Sequence, residues 1–171
     1  SRRDAFETVG AKPLGRVGWD SGAVSFRRDV AERGAGSNGL SAALETDVEL
    51  VKFVPGTDAS FLDVADGASG LVIEGTGLGH VNTDWIDRID ALTDEGTTVV
   101  MSSQCIEGRV CDRVYDTGRD LLEAGVVEAG DTLPATAYVK LMWALEHTED
   151  PADTMRRSIA GELQDRSVPW T

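Results

Sequence analysis

The chain reads as an α/β protein built on a parallel sheet. The run from Gly70 to Ser103, GLVIEGTGLGHVNTDWIDRIDALTDEGTTVVMSS, has the texture of strand, Gly-rich turn, helix, strand. Its first strand, Leu71-Val-Ile73, is apolar on both faces, which suits a strand buried in a parallel sheet. From Asp47 onward, strands alternate with helical stretches of roughly 10–15 residues, the pattern of βαβ units.

The elements follow in order. Leu14–Val17 and Ala23–Phe26 predict two short strands around a turn at Trp19-Asp-Ser-Gly22. Arg27 to Gly39 has weak periodicity and several glycines, so it reads as a linker. Val48–Val54 is a β-rich run closed by Pro55-Gly56. Asp58 offers an N-cap for a short helix through about Ala65. After the Gly-rich loop, Asn82 or Thr83 is placed to cap a helix. Its inner face holds Trp85, Ile86, Ile89 and Leu92; Asp84, Asp87, Arg88, Asp90 and Asp94 take the outer one. Gly96 is placed to end it in a left-handed conformation. Thr97–Met101 is the next strand, and Ser102 to Asp112 a second loop. A helix around Asp116–Ala124 and a short apolar Val126-Val127 come next. Asp131 or Thr132 is expected to cap a further helix with Pro134 in its first turn and Tyr138, Leu141, Met142 and Leu145 inward. Asp150-Pro-Ala-Asp153 signals a last helix with Met155 and Ile159 inward.

A length of 171 residues is enough for one real core. The net charge of −14 stands out, with 30 Asp+Glu against 16 Lys+Arg. Only Lys12, Lys52 and Lys140 are lysines. The acidity reads as spread along the chain, a solvated surface suited to high salt, where ions screen the repulsion between carboxylates. No basic patch is visible, which argues against direct binding of nucleic-acid phosphates. Cys105 and Cys111 suggest no disulfide framework, and with His80 and His147 they do not form a metal-binding pattern. No apolar stretch approaches membrane-spanning length, and a cytoplasmic location is expected.

The loop Glu74-Gly-Thr-Gly-Leu-Gly-His80 lies where parallel α/β sheets bind ligands, beyond the carboxyl end of a strand. Its G-x-G-x-G spacing departs from the dinucleotide G-x-G-x-x-G. A phosphate cradle, a plain tight turn, and a small-molecule or subunit contact all remain open. His80 is able to exchange a hydrogen bond near neutral pH. Ser102 to Val110 occupies the equivalent place after the next strand, and its polar residues suit either a ligand or exposed backbone groups. Tyr115 lies just beyond. Ser102 and Ser103 have no evident partner base, and no G-x-S-x-G elbow is present.

Several segments taken together resemble the carboxyl-terminal half of the asparaginase/glutaminase-type amidohydrolases. They are Arg2–Phe6 with Pro13-Leu-Gly15; Val72–Val81; Ser102–Cys105 with Gly108-Arg109; Val114–Arg119; and Ala124-Gly-Val126. Leu133–Trp143, and Ile159–Glu162 with Arg166-Ser167, are similar in particular to the D-subunit branch of the archaeal glutamyl-tRNA(Gln) amidotransferases. The resemblance implies an asparaginase-type C-terminal α/β domain over residues 47–171. Residues 1–46 would then be the end of an N-terminal domain plus a linker.

The resemblance also implies a chemistry. A Thr nucleophile, activated by a second Thr with an Asp and a Lys, attacks the side-chain amide of glutamine or asparagine and releases ammonia. Those residues belong to the family's N-terminal domain. Ser1 is not an initiator Met, and the chain is expected to begin after them, so the isolated polypeptide is expected to be inactive. No catalytic or metal-binding residue and no cofactor is assigned to this chain. ATP is expected at an E-type partner subunit, which would also make most contacts with Glu-tRNA(Gln). In a homodimer, Thr76, Gly77, His80, Gln104 and Tyr115 are expected to line the neighbouring subunit's substrate site. The C-terminal half of a free cytoplasmic L-asparaginase is the alternative. A nucleotide-binding module is disfavoured by the glycine spacing.

Overall fold

The computed structural model describes residues 5–36, 39–111 and 113–166. The chain divides into two units, one through Ser41 and one from Ala42. The first unit contains a hairpin of strands β1 (Gly15–Val17) and β2 (Val24–Phe26), antiparallel with Arg16 opposite Ser25. Its turn is closed by Gly18 N–H donating to Ala23 O and Gly22 N–H to Gly18 O, both at 2.8 Å. None of its described residues is fully buried. Residues 27–41 carry no helix or strand among the described positions; Ser37 and Asn38 lie outside these, as do Arg2–Asp4, Asp112 and Ser167.

The second unit is built on a four-stranded parallel sheet of β3 (Val48–Lys52), β4 (Gly70–Gly75), β5 (Thr98–Ser103) and β6 (Val127–Glu128), in the order β3-β4-β5-β6. The 3₁₀ helix Ala59–Ala65 and helices α1 (Ile86–Asp94) and α2 (Asp116–Glu123) connect these strands. All three pack on one face of the sheet, where Leu62, Ile89 and Leu121 join Leu71, Ile73, Val99 and Met101 in one core. Right-handed crossovers between neighbouring parallel strands require this one-sided placement. On the other face, helices α3 (Pro134–His147) and α4 (Pro151–Met155) cover Val72, Val100 and Val127 with Ala137, Leu141 and Met155. Successive residues of β4 thus serve two cores, which is why the sequence shows an unbroken apolar run there.

Local signals explain most boundaries. The Asp58 carboxylate accepts from Ser60 N–H at 2.9 Å, and the helix it caps is 3₁₀. Trp85 is fully buried, donates its indole N–H to Thr57 O at 3.0 Å, and meets Phe53 edge-on at 5.0 Å. Helix α1 ends at Gly96, φ 102°. There Thr97 N–H bonds Leu92 O and Gly96 N–H bonds Thr93 O, both at 3.0 Å, a Schellman closure. Neither Asn82 nor Thr83 caps α1, contrary to expectation: a 3₁₀ turn over Thr83–Trp85 precedes the helix, Asn82 sits before that turn without a side-chain bond, and the N-cap of α1 is Trp85.

Four further expectations need correction. Ser102 and Ser103 are buried residues of β5, not loop residues. The acidity is concentrated: residues 1–41 hold seven Lys+Arg against five Asp+Glu, or +2, while residues 42–171 hold nine against 25, or −16. Helix α3 is capped by neither Asp131 nor Thr132; its N-cap is Leu133. Pro134 at N1 removes one orphan N–H, and the Asp131 carboxylate instead accepts from Gln164 N–H at 2.9 Å. Finally, α4 stops at Met155, leaving Ile159 half-exposed.

The cause of that early stop is Lys140. It is buried on α3 and donates to Met155 O at 3.2 Å and Arg157 O at 2.5 Å. Glu162 returns to pair with it at 2.7 Å and accepts from Ile159 N–H at 3.1 Å and Ala160 N–H at 2.7 Å. The ion pair therefore consumes backbone groups that a longer helix would have used. Burial alone would raise the Glu162 pKa. The Lys140 ammonium and the backbone N–H groups outweigh it and hold the carboxyl at about 2, against an ordinary 4.5.

The folded value lies below the unfolded one, so the pair's full contribution is present above pH 4.5 and is lost as pH falls toward about 2. Glu162→Gln leaves Lys140 buried without its counter-charge, and a loss of about 3 kcal/mol is expected near neutral pH. Urea unfolding should show parent and variant converging in acid; a gap unchanged by acid would contradict this.

Candidate functional site

The carboxyl ends of β4 and β5 open into two loops, which backbone geometry joins into one surface. Gln104 N–H donates to Gly75 O at 2.9 Å, and Cys111 N–H to Leu78 O at 2.9 Å. The Ser103 hydroxyl donates to Gly77 O at 2.7 Å while accepting from Cys105 N–H at 3.0 Å. Ser103 is thus a positioning residue between the loops. The sequence marked it only as a serine without a base.

The first loop folds back on itself. Thr76 N–H and its hydroxyl both donate to His80 O, at 2.9 and 3.0 Å. The turn depends on Gly79, whose φ of 92° lies in the left-handed region. A Cβ there would stand 2.7 Å from Val110 Cγ1 and 2.9 Å from Met101 Cγ. Gly77 is different: it is exposed, and a Cβ on it would meet only Cys105 Sγ, at 4.0 Å.

The five residues expected to form a site all lie on this end of the sheet. The Thr76 hydroxyl proton is committed to its own loop. The Gln104 amide donates to Phe53 O at 2.5 Å and Glu74 O at 3.0 Å, bracketing the ends of β3 and β4. Lys52 and Glu74 add an ion pair at 2.8 Å on the same edge. His80 meets the exposed ring of Tyr115 edge-on at 5.5 Å. Its Nε2 is buried and has no hydrogen-bond partner among the described residues. Gly77 offers exposed backbone. Geometrically, then, Thr76 and Gln104 shape the surface, while Gly77, His80 and Tyr115 present it.

Arg109, at the end of the second loop, donates to Gln164 O and lies 3.7 Å from Asp131. Cys105 is an exposed free thiol and Cys111 a half-buried one. Among the described residues, no cluster of three or more His, Cys, Asp or Glu side chains is arranged to hold a metal ion. No helix there is long and apolar enough to cross a membrane.

The contrast between the two loop glycines is testable. Gly79→Ala should destabilise the unit by about 2 kcal/mol, from backbone strain plus overlap. Gly77→Ala should stay within about 0.5 kcal/mol of the parent. Chemical denaturation of both variants decides this, and equal effects would contradict the loop geometry.

Residues 47–157 match the glutaminase/asparaginase C-terminal domain. Over its whole length the chain is 59% identical to the D-subunit of the glutamyl-tRNA(Gln) amidotransferase of Halobacterium salinarum, covering 42% of that protein. Over 99% of its length it is also 59% identical to the D-subunit of the Haloquadratum walsbyi amidotransferase, covering 39% of it. The chain therefore spans about two fifths of these relatives. Among solved structures, the thermostable L-asparaginase from Thermococcus kodakarensis superposes on 95% of this chain with a TM-score of 0.82 and 32% identity, using 50% of its own length. By this match and by its two-faced parallel sheet, the chain belongs to the glutaminase/asparaginase family and carries that family's C-terminal domain.

Proposed function

We propose that this chain is part of the glutamine-hydrolysing subunit of a tRNA-dependent amidotransferase. The whole subunit releases ammonia from glutamine. An E-type partner subunit, which binds Glu-tRNA(Gln), uses ATP to activate the glutamate and receives the ammonia, giving Gln-tRNA(Gln). The observation that carries this reading is the end-to-end 59% identity to the D-subunit of the Halobacterium salinarum amidotransferase. The protein then works in the cytoplasm, and the cofactor belongs to the partner.

The catalytic Thr residues, Asp and Lys are assigned to a part of the protein outside this sequence, so the isolated chain is inactive. Two observations support this. The chain spans only 42% of that relative, and its buried serine hydroxyls donate to backbone carbonyls, Ser102 to Thr132 O and Ser103 to Gly77 O. In a homodimer the loop surface of Thr76, Gly77, His80, Gln104 and Tyr115 completes the neighbour's glutamine site. Support comes from the buried, unpartnered Nε2 of His80, since a buried polar atom without a partner is costly unless something docks to it. A free L-asparaginase is the second reading, favoured by the superposition on the Thermococcus kodakarensis enzyme.

In the full-length subunit, His80→Ala should raise KM for glutamine by about tenfold, the scale of one lost hydrogen bond, with melting unchanged. Steady-state kinetics equal to the parent's would remove His80 from the site. Amidation of Glu-tRNA(Gln) on adding the partner subunit supports the first reading; asparagine hydrolysis indifferent to partner and tRNA supports the second. We also assign the acidic surface to function in high salt. Melting temperature should rise as KCl goes from dilute to molar, because ions screen the carboxylate repulsion. A flat or falling profile would contradict that assignment.

A further inference from the structure

Helix α3 is apolar nearly all round. Its sequence Ala135-Thr-Ala-Tyr-Val-Lys-Leu-Met-Trp-Ala-Leu145 holds one charge, Lys140. One face, with Ala137, Leu141 and Ala144, is buried against the sheet. A helix apolar on every side is stable only when covered on every side, yet the opposite face of α3 is open. There, Val139 and Trp143 form one wall of a groove of about 560 Å³, closed by Ile159 and Ala160 on one side and Leu44 on the other. Val139 is 52% exposed and Ile159 50%.

The groove is a built feature. The Lys140–Glu162 pair is part of its lining and fixes the loop carrying Ile159 and Ala160. Its far wall is pinned to α3 by Glu45 N–H donating to Met142 O at 3.0 Å and by the His147 ring against Ala43 O at 2.9 Å. Both walls are thus held before any occupant arrives, which lowers the ordering cost of docking.

Charge selects the occupant. Residues 42–171 carry −16. Lys140 is neutralised by Glu162, and of the three arginines after α4 (Arg156, Arg157 and Arg166), Arg157 is paired with Asp153 at 2.7 Å. Exposed Glu146 continues the line of Val139 and Trp143 along the helix, at i+7 and i+3. We propose that the groove seats an apolar segment of the second amidotransferase subunit, one flanked by Lys or Arg side chains that meet Glu146 and the net negative charge of this unit.

This inference rests on the two-subunit reading above, and the experiment separates the two. In the full-length subunit, Val139→Glu and Ile159→Glu replace half-exposed side chains, so circular dichroism melting should stay close to the parent's. Each should weaken binding to the partner subunit, measured by analytical ultracentrifugation, by about tenfold or more. Glutaminase activity without the partner should not change. Glu146→Lys should flatten the salt dependence of association. Hydroxyl-radical labelling of Trp143 should be high in the subunit alone and fall on adding the partner.

Unchanged partner affinity in both groove variants overturns the inference. So does Trp143 already protected in the full-length subunit alone, which would make the rest of its own chain the occupant. An altered self-association mass with unaltered partner affinity would assign the groove to a second copy and also overturn it. If the parent subunit itself binds no partner, the two-subunit reading fails first and the inference falls with it.

Discussion

The central strand β4 must be covered on both faces along its whole length, and the second unit is arranged around that requirement. Leu71 and Ile73 face the layer holding the 3₁₀ helix, α1 and α2, while Val72 faces α3 and α4. With roughly 25 cal/mol gained per Å² of apolar surface removed from water, two such layers are the dominant favourable contribution to the fold. They also dictate where chemistry is possible. Once both faces are closed, only the ends of the strands meet solvent, and the loops after β4 and β5 emerge together at the carboxyl end. Hydrogen bonds from Ser103, Gln104 and Cys111 then make one surface of two loops.

Charge divides the protein along the same boundary as packing. The hairpin unit is slightly basic and has no fully buried described residue; the sheet unit is strongly acidic and holds both cores. An acidic shell around a compact core favours hydration. It leaves neutral apolar areas, such as the outer face of α3, as the places where a protein partner loses least by docking.

Much of this was legible in the residues. Period and β-branched content located β4 and β5, and Gly96 announced its left-handed turn correctly because that signal is local. The loop containing Thr76, Gly77 and His80 was found for the same reason: strand-end position follows from fold class. Long-range polar contacts were not legible. Asp131 and Thr132 looked like caps because cap residues are recognised by local sequence alone, yet their side chains serve residues more than 29 positions away. Gln104 stood out by its place after β5, but nothing local shows that its amide reaches back 51 residues to Phe53. Lys140 gave a usable sign, as the lone charge in an apolar helix, but nothing local names Glu162 as its partner.

That pairing has a consequence for how the chain matures. Lys140 lies 22 residues ahead of Glu162, and the segment around Glu162 and Gln164 is also held by Thr132, Asp131 and Arg109. During synthesis the sheet and α3 leave the ribosome first, with an ammonium directed into a closing interior and nothing to neutralise it. The segment around Glu162 therefore acts as a latch. Until it emerges, α3 has reason to stay loose, so consolidation of this unit waits for that segment.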